Sequence, residues 1–228
     1  MDAADAVRLL EKCFLFQALD DAARHELAQH ATRHTFKAGE PICNFGDPGD
    51  SMMAIVVGSA RVYLPAPKGK EIVLATLSAG EVFGEISLLD GRERSAAVTA
   101  LTNCDLIYLH RRDVLPVLMK RPEACLKLLE LLCARVRHSN ETVSDMMFFD
   151  LPTRLAKALL RQTGAPDAPG YSAKVSTSQS QLASLIGGTR ESVNRALRDW
   201  RKRRIVDLKD GWIIILDPAA LAALAAAD

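Results

Sequence analysis

The chain has 228 residues, 49% hydrophobic and 25% charged, enough apolar material for one large or two small packed cores and too much for a disordered chain. Its net charge of +1 hides an asymmetry: residues 1–150 carry 17 Lys and Arg against 21 Asp and Glu, whereas residues 151–228 carry 12 against 7. An acidic front and a basic final third fit a nucleic-acid-binding module joined to a non-binding one, with chance asymmetry as the plain alternative.

The cysteines (Cys13, Cys43, Cys104, Cys125, Cys133) are odd in number and widely spaced, with no C-x-x-C pair. Reduced thiols are expected, and no zinc or iron–sulfur site, because thiolate ligands usually come in closely spaced pairs. The first residues are acidic and lack a long apolar core, so no secretory signal is expected. No apolar run approaches the roughly 18 residues that span a bilayer. A soluble, cytoplasmic protein is the expectation, with no membrane partner.

Residues 5–31 show helical spacing, broken around Leu15 to Asp20, where Asp20 can cap a second helix. From Thr32 to Leu109 short runs rich in Val, Ile and Tyr alternate with turn clusters, among them Phe45 to Asp50 and Pro65 to Gly69. That texture predicts an antiparallel barrel or jelly roll. Gly84 to Ala97 interrupts it with two glycine turns, one acid and an Arg94-Ser95 pair backed by small residues. A forked arginine, a hydroxyl and nearby N–H groups can cradle a phosphate; an ordinary strand-turn-strand surface is the competing reading.

Pro122 fits the first turn of a helix, and no further proline or glycine follows until Pro152. The result is a helix of about 27 residues and on the order of 40 Å. Leu129, Leu132, Val136, Ser139, Val143 and Met146 form a three-four seam along it. A narrow seam with polar Ser139 and Asn140 predicts a parallel homodimer; the alternative is a helix buried in its own chain's core. Phe148 to Pro152 reads as a hinge, Thr153 as the cap of a helix reaching about Arg161, and Gly164 to Gly170 as a loop.

Ser178-Gln179-Ser180-Gln181 has a capping-box pattern ahead of Leu182, Ala183 and Ile186. Gly187-Gly188 turns the chain, and Thr189 can cap a second helix with Val193, Leu197 and Trp200 inward. Such a pair makes a helix-turn-helix, or a generic helical hairpin. An Asp210-Gly211 hairpin follows and makes the first reading a winged helix-turn-helix. On the outer face Arg190 and Arg195 can fork onto guanine, and Glu191 can accept from cytosine. Asn194 shares that face, and Ser178, Gln179 and Ser192 complete the expected DNA-binding set. Arg198, Arg201, Lys202, Arg203 and Arg204 fit phosphate contacts or a solvated basic face.

The order of parts, with the cassette Phe83-Gly84-Glu85-Ile86-Ser87-Leu88-Leu89 closing on Arg94-Ser95-Ala96-Ala97-Val98, resembles one family. It is the superfamily of the cyclic AMP receptor (catabolite activator) and fumarate-nitrate regulator, bacterial transcription factors. The cassette resembles the family's phosphate-binding cassette, one residue shorter in its turn than in the enteric activator. The resemblance implies that Glu85 accepts from a ribose 2'-OH and that Arg94 neutralises a cyclic phosphate. Gly84, Ile86, Ser87, Ser95 and Ala96 would line the ligand, with Ser95 and backbone N–H groups on the phosphate oxygens. Ser139, and Asn140 of the partner subunit, would meet the purine edge; a Ser-Asn pair leaves cyclic AMP and cyclic GMP both open. Thr189-Arg190-Glu191-Ser192-Val193-Asn194-Arg195 resembles the recognition helix for a G-T-G-A half-site, with Asn194 in place of glycine.

The cysteine cluster of the family's oxygen-sensing branch is absent, and His34, His110 and His138 match no heme motif. The expectation is an α+β chain in three parts. Residues 1–121 would form the nucleotide-binding β jelly-roll barrel with flanking helices, 122–150 the long dimerisation helix and hinge, and 151–228 the winged helix-turn-helix. It would be a non-enzymatic, cyclic-nucleotide-responsive regulator with no cofactor. Expected partners are double-stranded DNA, a second copy and RNA polymerase. The rivals are a regulator of the same build with another signal or none, a cupin-like barrel enzyme, and a cyclic-nucleotide-regulated kinase subunit.

Overall fold

The computed structural model describes residues 3–66, 70–163, 173–175 and 177–226, and their side chains from Ala6 onward except at Lys70. The expected loop from Gly164 to Gly170 lies outside the described residues, as does most of the turn ending at Gly69. The chain divides into two compact units, Met1–Arg137 and His138–Asp228.

The first unit opens with α1 (Ala3–Leu10), a 3-10 turn (Phe14–Ala18) and α2 (Asp21–His30). Asp20 caps α2 by accepting from Ala23 N at 2.7 Å, which satisfies one of the donors a helix start leaves over. Strands β1 (Thr32–Phe36), β2 (Pro41–Cys43), β3 (Ser51–Val57), β4 (Ser59–Ala66), β5 (Lys70–Ser78) and β6 (Val82–Phe83) follow. A short helix α3 (Glu85–Asp90) leads to β7 (Ala97–Ala100) and β8 (Cys104–His110). One antiparallel sheet runs β1-β8-β3-β6 and the other β2-β7-β4-β5.

Strand β3 shows why the sequence there is continuously apolar. Its residues alternate between two cores: Met52 and Ala54 face the helices, while Met53 and Ile55 face the space between the sheets. A strand buried on both faces needs no polar alternation. Strand β8 divides in the same way, Cys104 and Leu106 going between the sheets and Ile107 and Leu109 to the helices. Helix α4 (Arg111–Met119) completes the helical layer, and the long helix α5 (Pro122–Phe148) begins in it through Ala124 and Leu128.

Helix α5 spans 27 residues, as the interval between prolines predicted. Leu126, Leu129, Val136, Val143 and Met147 form an exposed apolar stripe along it, with Cys133 and Asn140 exposed at the intervening positions and Phe148 exposed at its end. The register therefore differs from the expected seam. Leu132 and Met146 are half-buried, and Met146 lies close against Gly187, where an added Cβ would meet its Cε at 3.2 Å. Asn140, not Ser139, stands in the exposed stripe's spacing.

Helix α6 (Leu151–Thr163) starts three residues earlier than a cap at Thr153 would place it. Asp150, rather than Thr153, supplies the cap by accepting from Thr153 N at 2.9 Å; Thr153 is buried in the first turn. Pro152 is tolerated there because first-turn N–H groups lack an intrahelical partner anyway. Across the break at Phe149 and Asp150 lies a clasp. The Asp145 carboxylate accepts from Lys157 Nζ at 2.8 Å and from Arg161 Nη2 at 2.7 Å, and Lys157 Nζ sits 3.4 Å from the centre of the Phe149 ring. Burial pushes the Asp145 carboxyl up, but these two cations outweigh it and hold the group below its usual range.

The second unit continues with β9 (Lys174–Val175), α7 (Gln179–Leu185), α8 (Arg190–Lys202), β10 (Val206–Lys209), β11 (Trp212–Ile215) and α9 (Pro218–Ala225). Its sheet runs β10-β11-β9. Leu155, Leu159, Leu182, Val193, Leu197 and Trp200 form its core, each worth about 2 kcal/mol of transfer free energy. The hairpin turns at Asp210 and Gly211, both at positive φ, the two-residue turn that the Asp-Gly pair predicted.

Candidate functional site

Strand β6 delivers the chain to Gly84, which caps α3 in the left-handed conformation at φ 79°. A Cβ there would lie 2.4 Å from Arg94 Nη1 and 3.0 Å from the Ser51 carbonyl oxygen, so only glycine fits. The next side chain, Glu85, is fully buried at 0% exposure. Its Oε1 accepts from Arg135 Nη1, and Arg135 Nη2 donates to the Val82 carbonyl at 2.6 Å. Its Oε2 has no partner among the described residues. A buried carboxylate oxygen left without a donor is costly, and an incoming hydroxyl would satisfy it.

Arg94, also buried, is held at both ends. Its backbone bonds to the Gly46 turn, with Gly46 N donating to Arg94 O at 3.0 Å and Arg94 N to Asp47 O at 2.8 Å. Its guanidinium donates to Ser51 O at 2.6 Å, Ser51 Oγ at 2.8 Å, Gly84 O at 3.3 Å and Met53 Sδ at 3.7 Å. These acceptors carry no formal charge. A desolvated arginine with neutral acceptors keeps an unneutralised positive charge available to an anion.

The cassette residues thus come together, but in different capacities. Ser87 is buried and spends its hydroxyl on Glu93 O at 3.1 Å, tying α3 to the turn before Arg94. Ile86 and Ser95 are exposed, and Gly84 and Ala96 half-buried. Ser139 and Asn140 are exposed on α5 and belong to the second unit, whereas the cassette belongs to the first.

The pattern of the cassette alone did not reveal three further residues. Arg135 lies 50 residues after Glu85; its only sequence signal is that it precedes Ser139 by one helical turn. Ser51 opens β3 and meets the guanidinium across the fold. Arg111 donates through Nε to Leu88 O at 2.7 Å and through Nη2 to Leu89 O at 3.3 Å, closing the C-terminal end of α3.

In the second unit, Ser178 and Gln181 form the reciprocal capping box, and Thr189 caps α8 by accepting from Ser192 N at 3.2 Å. With Val193, Ala196, Leu197 and Trp200 turned inward, Glu191, Asn194, Arg195, Arg198, Asp199 and Lys202 form one stripe along the outer face of α8. Arg190 is exposed at the start of α8, Ser178 is exposed, and Gln179 and Ser192 are half-buried. The backbone N–H at Glu191, the Thr189 hydroxyl and the Arg190 charge hold the Glu191 carboxyl below its usual range, so the outer face of α8 keeps an ionised acceptor. Arg201 pairs with Asp207 at 3.0 Å and Arg203 with Asp199 at 3.5 Å. Among the described residues no helix is long and apolar enough to cross a membrane, and no cluster of three metal-ligating side chains occurs.

The family model of the cyclic nucleotide-binding domain matches residues 33–121, and that of the Crp-like helix-turn-helix domain matches residues 153–224. A CRP-like cAMP-activated global transcriptional regulator of Mycobacterium tuberculosis is 29% identical over 217 residues, covering 94% of this chain and 97% of that protein. A cyclic AMP receptor protein of Thermus thermophilus is 32% identical over 193 residues, covering 85% and 88%. The solved structure of a c-di-GMP responsive global regulator of Xanthomonas campestris has a TM-score of 0.76 at 19% identity, covering 86% of this chain and 99% of its own. The last likeness is one of fold.

Proposed function

The chain belongs to the Crp/Fnr family of transcription regulators, and from that premise we propose a homodimer whose DNA binding is controlled by cyclic AMP, with cyclic GMP as the competing purine. As a member of that family it is a cyclic-nucleotide-binding regulator of transcription, not an enzyme. The observation that carries the finer reading is the Glu85 and Arg94 pair: a buried carboxylate oxygen without a donor, near a buried guanidinium whose acceptors are all uncharged, among the described residues. A cyclic nucleotide supplies both, a ribose hydroxyl and a phosphate.

In this reading Glu85 takes the 2'-OH, Arg94 the phosphate charge, and Ser95 and the N–H groups from Gly84 to Ser87 and at Ala96 the remaining oxygens. The purine edge is assigned to Ser139 and to Asn140 of the partner subunit. The exposed stripe of Leu126, Leu129, Val136, Val143 and Met147 supports a parallel pairing of α5 with a second copy. Residues 1–121, 122–150 and 151–228 then act as sensor, coupling helix and DNA reader. Arg190, Glu191, Asn194 and Arg195 read base edges of TGTGA-like half-sites. Thr189, Ser192, Arg198, Ser178 and Gln179 position the module on the backbone. Nucleotide acts as an allosteric effector, working through its different affinity for the two states of the dimer. RNA polymerase is the expected downstream partner, and the cytoplasm the expected place.

Calorimetric titration with both nucleotides, beside anisotropy binding to a TGTGA palindrome, tests the reading. Measurable binding of one nucleotide and a nucleotide-dependent gain in DNA affinity are expected. Absence of both sinks it.

A further inference from the structure

Each terminal nitrogen of Arg94 divides its two hydrogens between one short contact and one long one. Nη1 donates to Ser51 O at 2.6 Å and Gly84 O at 3.3 Å, and Nη2 to Ser51 Oγ at 2.8 Å and Met53 Sδ at 3.7 Å. Both short contacts go to one residue. Its carbonyl and its hydroxyl form a two-pronged acceptor that fixes the plane of the guanidinium, much as a carboxylate would, without neutralising it. The two long contacts, one beyond ordinary N–H···O length and one to a weak sulfur acceptor, are the ones an anion can replace at little cost.

Ser51 is well placed for this work. It opens β3, pairs with His110 of β8, and is followed by Met52, Met53, Ala54 and Ile55, all at 0% exposure. A hydroxyl on so rigid a strand is a fixed point, unlike one on a loop. The other end of Arg94 is tied through its backbone to Gly46 and Asp47. The two short contacts that orient the guanidinium about its own stem both come from Ser51.

We propose that Ser51 is the positioning residue for Arg94: it sets which guanidinium hydrogens face the cyclic phosphate, and through them which phosphate oxygen is gripped. The inference rests on the reading that Arg94 binds that phosphate.

The test uses the full-length protein and the two phosphorus diastereomers of adenosine 3',5'-cyclic phosphorothioate, which replace one or the other exocyclic oxygen with sulfur. Wild type, Ser51→Ala and Ser51→Thr are titrated with cyclic AMP and both diastereomers, after urea unfolding confirms that each variant is folded. Wild type is expected to prefer one diastereomer. Ser51→Ala should bind cyclic AMP about tenfold more weakly, the worth of one charge-assisted hydrogen bond, and lose most of that preference. Ser51→Thr should restore both. A Ser51→Ala protein with wild-type affinity overturns the inference, and so does a loss of affinity with an unchanged diastereomer ratio, since that would be ordinary loss of packing. An unfolded Ser51→Ala leaves the decision to Ser51→Thr, whose added methyl must leave the ratio as in wild type. If wild type binds none of the three ligands, the functional reading itself falls, and that failure is visible before any variant is made.

Discussion

Arg135 on the long helix donates to the buried carboxylate of Glu85, 50 residues away, and to the carbonyl of Val82 that leads into the same cassette. One side chain thereby joins the start of α3 to the middle of α5. Removing it strands a buried charge. We expect Arg135→Leu to lower stability by about 3 kcal/mol, the usual scale for breaking a buried pair, and Glu85→Gln to recover part of that loss in the double variant. Urea midpoints of the four proteins measure it; an Arg135→Leu protein as stable as wild type would show the pair contributes nothing.

Glu85 has a second, more specific signature. If its free Oε2 accepts the ribose hydroxyl, wild type should bind cyclic AMP at least about tenfold better than its 2'-deoxy analogue. Glu85→Gln should narrow that gap while weakening both. Equal discrimination in wild type and variant would move the 2'-OH elsewhere.

The Asp145 clasp predicts a pH effect. Its folded pKa is lowered, so the carboxylate stabilises the fold above the unfolded carboxyl range near pH 4, and that contribution is lost as pH falls through the folded value. Asp145→Asn should cost about 1–3 kcal/mol at neutral pH and flatten the acid limb of the stability curve. Urea unfolding between pH 3 and pH 7 is the measurement, and parallel curves for the two proteins would rule the clasp out as a stabilising device.

Arg195 is exposed on the outer face of α8, and the proposed reading has it fork onto guanine. Arg195→Ala should cost about 1–3 kcal/mol on a TGTGA palindrome and relax selectivity at one base pair. Uniform weakening across all sequences would make it a phosphate contact instead. Competition anisotropy with single-base variants separates the outcomes.

Local chemistry made much of this fold legible in the sequence. Asp20, the Ser178 and Gln181 box, Thr189 and the Asp210-Gly211 turn each act on neighbours within four residues, and each stands where the pattern put it. What escaped was decided at a distance. Thr153 and Asp150 are both good caps, and only the packing of α6 buries the first and leaves the second to the helix start. On α5 the expected Leu129, Val136 and Val143 are exposed, while Met146 is half-buried beside Gly187. In the cassette the acid and the arginine were readable, but their partners Arg135 and Ser51 belong to other elements. No spacing rule connects residues 50 or 43 apart.

The interruption between α5 and α6 looks in sequence like a pivot, with an aromatic pair, an acid and a proline. The clasp ties the two helices together across it. Asp145 grips the first helix to the second through two cations, the Phe149 ring sits under one of them, and Asp150 locks the start of α6. The last turns of the long helix therefore belong to the same compact unit as the recognition helix, tied to α6 by charge as well as by chain.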